Sequence, residues 1–463
     1  MEDMEKIPVL KREDISREIT PIQNEVLEYD GTPVIFHEIE TNGIGYIDLL
    51  FDLSGVPEEL LPYAGILQSV LGIIDTENYE YGELFNEINV HTGGIGTSLE
   101  LYPDVTKVKE KEFKATFEIK SKALYQKLPV AFDMMREILT QSKLDDKKRL
   151  KEILSMSKSR LQMRFQSAGH TTAALRALAY LSPLSKLKDL TAGIGYYEVV
   201  KDLEEHFEER KTELIANLQK LSKILFRPEN MMASFTATKE GLSGMEEMIC
   251  GLKKQLFTEP VETQPCIIHC EKRNEGFKTS SKVQYVARVG NFIDEGKDYT
   301  GALQILKVIL SYDYLWQNVR VKGGAYGCMS NFTRIGDGYF MSYRDPNLEK
   351  TNVIYEGIVE YLKGFSVSER DMTKYIIGTI SNMDQPMTPA AKGDRSMNLY
   401  MNHVSEEMIR KEREEVLDAT EEDIRALAEI VEAILKNNYF CVIGSEEKIE
   451  EQKNLFMELR SIF

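Results

Sequence analysis

One short segment of this chain combines residue types that could stabilise negative charge developing on a substrate. It reads Arg320-Val-Lys-Gly-Gly-Ala-Tyr326-Gly-Cys, with two glycines between a guanidinium and a phenol. Both groups are hydrogen-bond donors suited to an oxyanion, and glycines let backbone approach a ligand closely. If the segment is extended, residues six apart share a face, so Arg320 and Tyr326 could converge on one ligand. The alternative is a glycine bend entering a strand, with Tyr326 packed in the core.

No familiar cofactor or hydrolase motif accompanies this segment. The sequence lacks GxxxxGK[ST], GxSxG, HExxH and HxxEH, and no GxGxxG opens a helix. The string closest to a zinc motif is His206-Phe-Glu-Glu-Arg210, in which an arginine without a lone pair stands where a second histidine would be needed. We interpret it as a charged helix face, and we expect this chain alone to bind no catalytic metal.

Three potential metal ligands occur together in Cys266-Ile-Ile-His269-Cys270. The segment IIHCEK is predicted to be a short strand, which would turn His269 away from its neighbours, and no second cluster follows at finger-like spacing. We therefore favour a structural role. A metalloenzyme built on these residues stays open as an alternative and would require stoichiometric zinc in the purified chain.

The composition excludes several classes of protein. The chain has 463 residues with 57 Lys+Arg against 75 Asp+Glu, a net charge of −18. This charge argues against wrapping nucleic acid, and no run of 18 apolar residues predicts a membrane span. The acidic start lacks a secretory signal, and five scattered cysteines suggest free thiols in a reducing compartment, so we expect a cytoplasmic protein.

The predicted elements occur twice along the chain. In each half a strand leads to a long apolar helix, a shorter helix, a Gly-Gly pair and another strand, with Gly93-Gly94 and Gly323-Gly324 separated by about half the chain. The pattern predicts an α+β fold of two homologous domains, each an antiparallel sheet with helices packed on one face. We expect a leading arm over 1–25 and domains over 26–256 and 266–463, because 257–265 holds two prolines and no apolar periodicity.

The run VRVKGGAYGC, followed by GDGYFMSYRDPNLEKT, resembles the last domain of the pitrilysin–insulinase family of zinc metallopeptidases, in its presequence-protease branch. The runs GYIDLLFDLSGVPEELLPYAGILQSVL and ELFNEINVHTGGIGTSLELYPD resemble the third domain of that branch. Members are about twice this length, with four domains in two halves of a hinged clamshell and an HxxEH zinc site in the first half. The resemblance therefore implies that this chain is a second half.

The resemblance also assigns roles to individual residues. The helix that matches the zinc-binding helix carries Gly65, Gln68 and Ser69 at the ligand and base positions, and these residues cannot hold zinc in the usual way. Arg320 and Tyr326 match an Arg and a Tyr that contact substrate beside the scissile bond, where the Tyr stabilises the oxyanion. Gly323, Gly324 and Gly327 would shape the segment and bind substrate.

Two functions follow as expectations. The first is the C-terminal half of a zinc-dependent oligopeptidase that degrades unfolded peptides inside its chamber, with zinc in an N-terminal half bearing HxxEH. Alone, this chain should be inactive. The alternative is a stand-alone, non-catalytic homologue that serves as a partner subunit or peptide-binding module.

Overall fold

The computed structural model describes residues 10–462, whose strands form two six-stranded sheets. In the first sheet the strand order is β1-β2-β6-β3-β5-β4, and every adjacent pair is antiparallel except β2 and β6. Its strands are β1 (Glu25–Tyr29), β2 (Thr32–Glu38), β3 (Ile44–Asp52), β4 (Ile95–Pro103), β5 (Phe113–Leu124) and β6 (Met231–Ala237).

Nine helices accompany this sheet within the described residues, and most are amphipathic with one buried face. They are α1 (Leu61–Val70), α2 (Tyr81–His91), α3 (Leu128–Gln141), α4 (Lys147–Ser167), α5 (Gly169–Leu178), α6 (Pro183–Ala192), α7 (Ile194–Glu205), α8 (Phe207–Leu225) and α9 (Met245–Lys253). Asp146 and Ser182 accept backbone hydrogen bonds at the starts of α4 and α6, which fixes where those helices begin.

The second sheet has the order β12-β7-β11-β8-β10-β9 and repeats five strands of the first, with β7 and β11 parallel where β2 and β6 are parallel. Its edge strand differs, because β12 follows β11 in the sequence and pairs with β7 in parallel, whereas β1 pairs with β2 antiparallel. Its strands are β7 (Glu275–Thr279), β8 (Tyr285–Asn291), β9 (Gly327–Phe332), β10 (Asp337–Tyr343), β11 (Tyr439–Ser445) and β12 (Glu458–Ser461). Its helices are α10 (Ala302–Tyr312), α11 (Glu349–Glu356), α12 (Ile358–Lys363), α13 (Glu369–Met383), α14 (Pro389–Met401), α15 (Glu406–Leu417), α16 (Glu421–Lys436) and α17 (Glu446–Glu451).

The α+β fold of two like domains is thus confirmed, and we keep 26–256 and 266–463 as the proposed bounds of a first and a second unit. One local prediction is wrong. Residues 257–274 contain no strand, so IIHCEK is not one.

The two units exchange equivalent helices. Helix α5 of the first unit covers the outer face of the second sheet, and α14 of the second unit covers the outer face of the first. Both helices lie so close to the sheets that only glycine fits at the point of contact. A Cβ on Gly169 would lie 2.2 Å from the Tyr285 ring, and one on Gly393 would lie 1.9 Å from Thr236. Each sheet therefore has a helix on both faces, one of them borrowed from the other unit.

A buried ion network joins the units beneath α5. The Arg176 guanidinium donates to Glu275 of β7 at 2.6 and 2.9 Å and to Asp189 of α6 at 2.6 Å. Tyr180 and Arg460 donate to Glu275 as well. Burial alone would raise the pKa of Glu275, but hydrogen bonds and charge from Arg176 outweigh it and hold that pKa below its usual value.

The leading segment lies along the second unit. Arg413 donates to the Ser16 carbonyl and Arg12 donates to the Ala419 carbonyl. None of the helices in the described part of the chain is both long and apolar enough to cross a membrane.

Candidate functional site

The Gly-Gly segment of the second unit is a tight turn and not an extended strand. Residues Trp316–Val321 form a π-helical turn, in which the Lys322 N–H donates to the Gln317 carbonyl at 3.0 Å. The Gly324 N–H then donates to the Arg320 carbonyl at 2.9 Å, which closes the turn just before β9. Of the two geometries considered, the segment therefore takes the glycine bend that enters a strand. Such π-helical turns are rare and are found frequently at functional sites.

Two of the three glycines in this turn are required by its geometry. A Cβ on Gly323 would lie 2.4 Å from the Val319 carbonyl oxygen, and Gly324 has φ of +82°. Gly327 differs, because a Cβ there would lie an ordinary 3.6 Å from Tyr343. Gly323 and Gly324 therefore shape the segment, whereas the space around Gly327 would admit a side chain.

Arg320 and Tyr326 lie side by side even though the segment is not extended. The Arg320 guanidinium carbon is 5.4 Å from the centre of the Tyr326 ring and 4.1 Å from that of Trp316. Tyr326 is 64% exposed, so it is not packed in the core. Among the described residues, neither its hydroxyl nor the Arg320 guanidinium has a hydrogen-bond or ion-pair partner in the protein. The turn thus presents a cation and a phenol together, both free to donate.

Aromatic side chains from both units support Tyr326 from below. Its ring meets Tyr343 edge to face at 5.7 Å between centroids, and Tyr343 meets His170 of α5 in the same way at 4.8 Å. The Tyr285 ring lies 5.7 Å from Tyr343, and its hydroxyl donates to the Gln166 carbonyl at 2.5 Å. Edge-to-face pairs of this kind fix ring orientation. The position of Tyr326 therefore depends on the first unit as well as its own.

Burial shifts the titration of groups behind the turn. It lowers the pKa of His170, which favours the neutral imidazole. It raises the pKa of the Cys328 thiol to about 11, against the opposing influence of Arg320. A thiol with this pKa is uncharged at neutral pH and is not activated as a nucleophile.

Sequence reasoning did not identify three of the supporting residues. Trp316 lies four residues before Arg320, a spacing that would have signalled contact once a helical turn was expected. Tyr343 is the last residue of β10, the strand paired with β9. His170 comes from the other unit, about 150 residues earlier, and carries no signal in the sequence.

The positions in α1 that match the zinc motif are occupied by ordinary packing. A Cβ on Gly65 would lie 2.4 Å from the Thr191 carbonyl oxygen. Gln68 and Thr97 exchange hydrogen bonds at 2.9 and 3.3 Å, and Ser69 donates to the Ile66 carbonyl. These residues do not fit zinc. Over residues 10–462, no three His, Cys, Asp or Glu side chains are grouped as metal ligands.

A cleft of about 670 Å³ separates the units along the second sheet. Leu101 of β4 and Thr171 of α5 line it from the first unit, and Arg334 and Tyr339 line it from the second. The cleft runs along one face of β10. Tyr339 and Tyr343 both belong to that face, because alternate residues of a strand point to the same side of the sheet.

Comparison with known proteins identifies relatives over the whole chain. Residues 1–203 match the model for the associated domain of group C of the M16 peptidases, and residues 274–446 match the PreP C-terminal domain. Protein HypA of Clostridium perfringens is 39% identical over 100% of this chain and 47% of its own length. Presequence protease 1 of Arabidopsis thaliana is 28% identical over 97% of this chain and 41% of its own length.

Solved structures share the fold. The peptidase M16 inactive domain from Pseudomonas fluorescens superposes with a TM-score of 0.61 at 13% identity, covering 91% of this chain and 98% of that one. Pitrilysin superposes with the same TM-score at 12% identity, covering 92% of this chain and 43% of its own. This chain spans about half the length of the curated relatives that it matches. The chain therefore belongs to the pitrilysin family, as the C-terminal half of a presequence-protease-like protein.

Proposed function

We propose that this chain is the substrate-contacting half of a zinc-dependent oligopeptidase that degrades unfolded peptides, with zinc bound by an HxxEH motif in an N-terminal half. The observation that carries the proposal is the pairing of Arg320 with Tyr326. Both are unpartnered in the described structure, and Trp316 and Tyr343 hold them in place. A purely structural half would need neither side chain free.

The chemistry of the two groups suits peptide hydrolysis. The Tyr326 hydroxyl would donate a hydrogen bond to the carbonyl oxygen of the scissile bond as negative charge develops there. The Arg320 guanidinium would donate to a neighbouring carbonyl oxygen of the peptide and hold the substrate in register. Because Trp316 and Tyr343 restrict both side chains beforehand, little reorganisation would accompany the reaction.

The test is to mix this chain with a recombinant HxxEH-bearing half and follow cleavage of a quenched fluorescent peptide, with zinc content measured on the same samples. We expect no turnover from this chain alone and turnover on mixing. Tyr326→Phe should then lower kcat by roughly 10²–10³, as for loss of one oxyanion donor. Wild-type turnover in that variant would refute the role of Tyr326.

A second function is favoured by one solved structure of the same fold. It is described as a peptidase M16 inactive domain from Pseudomonas fluorescens, and its chain is matched over 98% of its length. This chain could likewise serve as a non-catalytic partner subunit or peptide-binding module. Peptide binding by this chain, with no turnover when the HxxEH-bearing half is added, would favour this second function.

A further inference from the structure

A pocket of about 390 Å³ opens on the outer face of the first sheet, where α14 begins. Strands β3 and β5 form its floor with Asp48 and Lys120, and Ser234 of β6 lies beside them. Gly96 of β4 and Asp394 of α14 form opposite walls. We call this cavity the first-sheet pocket. Residues of both units line the first-sheet pocket, just as residues of both units surround the Arg320–Tyr326 turn.

The hydrogen-bond register shows that the first-sheet pocket is the counterpart of the Tyr326 position. The Tyr326 N–H donates to the Tyr343 carbonyl at 3.0 Å just before edge strand β9. In the first unit the Gly93 N–H donates to the Lys122 carbonyl at 2.7 Å just before edge strand β4. Glycine thus stands at this register position where the second unit has tyrosine. A Cβ on Gly93 would lie 2.6 Å from the Lys122 side chain, whereas one on Gly96, which also lines the first-sheet pocket, would meet nothing within 4 Å.

Two lysines and two aspartates line the first-sheet pocket, but Lys122 is exposed and makes no ion pair among residues 10–462, so the ion pairs of the pocket centre on Lys120. Lys120 is shared between Asp48 and Glu118, at 3.0 and 2.8 Å. The second oxygen of Asp48 is buried without a hydrogen-bond partner. Asp394 is exposed, and its carboxylate has no hydrogen bond or ion pair within residues 10–462. Burial and the charge of Glu118 raise the pKa of Asp48 well above its usual range, in spite of Lys120. The raised pKa favours the protonated form of Asp48, and a further cation bound beside it would favour the carboxylate instead.

We propose that the first-sheet pocket binds a primary ammonium carried by a peptide, either its amino terminus or a lysine side chain. The ammonium would donate to the free oxygen of Asp48 and to the carboxylate of Asp394, which lie on the floor and one wall. A compact ammonium has three donors and suits two carboxylates better than a planar guanidinium does. That the cation arrives on a peptide rests on the proposed function.

The experiment uses this chain alone and saturation-transfer NMR, which detects weak binding. Three short peptide amides serve as probes: Ala-Ala-Phe with a free amino terminus, the same peptide N-acetylated, and an N-acetylated peptide with one lysine. We expect the first or the third to bind, and which one does identifies the source of the ammonium. The N-acetylated peptide without lysine should not bind at this site.

Two variants localise the binding. Gly96 pairs with Lys120 across the strands, and a Cβ on it would meet nothing within 4 Å, so Gly96→Leu should fill the first-sheet pocket without a clash. Asp394→Asn removes one carboxylate. Each should weaken binding about tenfold, as for loss of a charge-assisted hydrogen bond. Gly82→Leu is the matched control, because Gly82 lies exposed on α2 with equal space and should leave binding unchanged.

Equal binding of the acetylated and free-amine peptides, or full affinity in Gly96→Leu, would overturn this inference. So would the absence of binding by all three peptides. These outcomes are independent of turnover, which tests Arg320 and Tyr326 in the two-half protein. Peptide binding at the first-sheet pocket could therefore be found even if Tyr326→Phe shows that Tyr326 has no catalytic role. Equally, binding could be absent while the role of Tyr326 is supported.

Discussion

The buried ion network under α5 allows a prediction whose magnitude follows from its contacts. Arg176→Met removes a guanidinium whose side chain is only 5% exposed and that donates to two carboxylates exposed by no more than 1%. Removal of one partner from a buried ion pair costs about 3–5 kcal/mol. Here Glu275 keeps Tyr180 and Arg460, and Asp189 keeps the N–H groups of two following residues. We therefore expect the lower end, a loss of about 3 kcal/mol in the free energy of unfolding.

Urea unfolding would measure this loss with two probes. Trp316 is the sole tryptophan and reports on the second unit, while far-UV circular dichroism reports on both. Because Arg176 joins the units, the two transitions should separate in the variant. Arg460→Met is the matched control, since that side chain is 30% exposed and its loss should cost less than about 1 kcal/mol. A loss below about 1 kcal/mol for Arg176→Met, or an equal loss in the control, would refute the reasoning.

The same ion network predicts that the stability of the fold depends on pH. Glu275 has a folded-state pKa below its unfolded value, so its stabilisation is fully present above the ordinary pKa of about 4.3 and is lost as pH falls through the folded value. Glu275→Gln should reduce the loss of stability on the acid side while lowering stability at neutral pH. Acid unfolding of variant and wild type in parallel would measure this, and identical acid profiles would contradict it.

Three further predictions concern other residues. Trp316→Leu removes the ring against Arg320 and should raise KM several-fold in the two-half protein with little change in kcat, since a cation–π contact is worth about 0.5–2 kcal/mol; an unchanged KM would contradict this. Gly324→Ala should lower the free energy of unfolding by about 1 kcal/mol or more, because Gly324 has a positive φ. Gly327→Ala should leave stability nearly unchanged, and equal losses of stability in thermal unfolding of the two variants would contradict this prediction. Burial raises the pKa of Asp337 to about 6, so stability should fall as pH rises from about 4 to 6. Asp337→Asn should flatten that slope, and an unaltered slope would show that Asp337 does not cause it.

The duplicated fold was predictable because it rests on local patterns. Alternation in β3 and the apolar stripe of α4 each follow from where the buried face must lie. The Gly93-Gly94 pair and the Gly323-Gly324 pair follow the same order of elements, which indicated two copies of one domain. The strand expected at IIHCEK failed because a short apolar run fits a loop packed on a neighbour equally well. Cys266 and Cys270 are indeed half-buried there, and burial raises the pKa of both thiols.

The sequence by itself determined the fold class, the family resemblance and the residue types of the candidate turn, because these depend on patterns within one segment. Only the tertiary structure decided that the turn is π-helical, that Trp316 lies against Arg320, and that α5 brings His170 beneath Tyr343. The exchange of α5 and α14 between the units, and the first-sheet pocket that residues of both units line, were likewise invisible beforehand. The physical reason is that each of these features joins segments far apart in the chain, and their contacts are set by how the two sheets pack rather than by local periodicity.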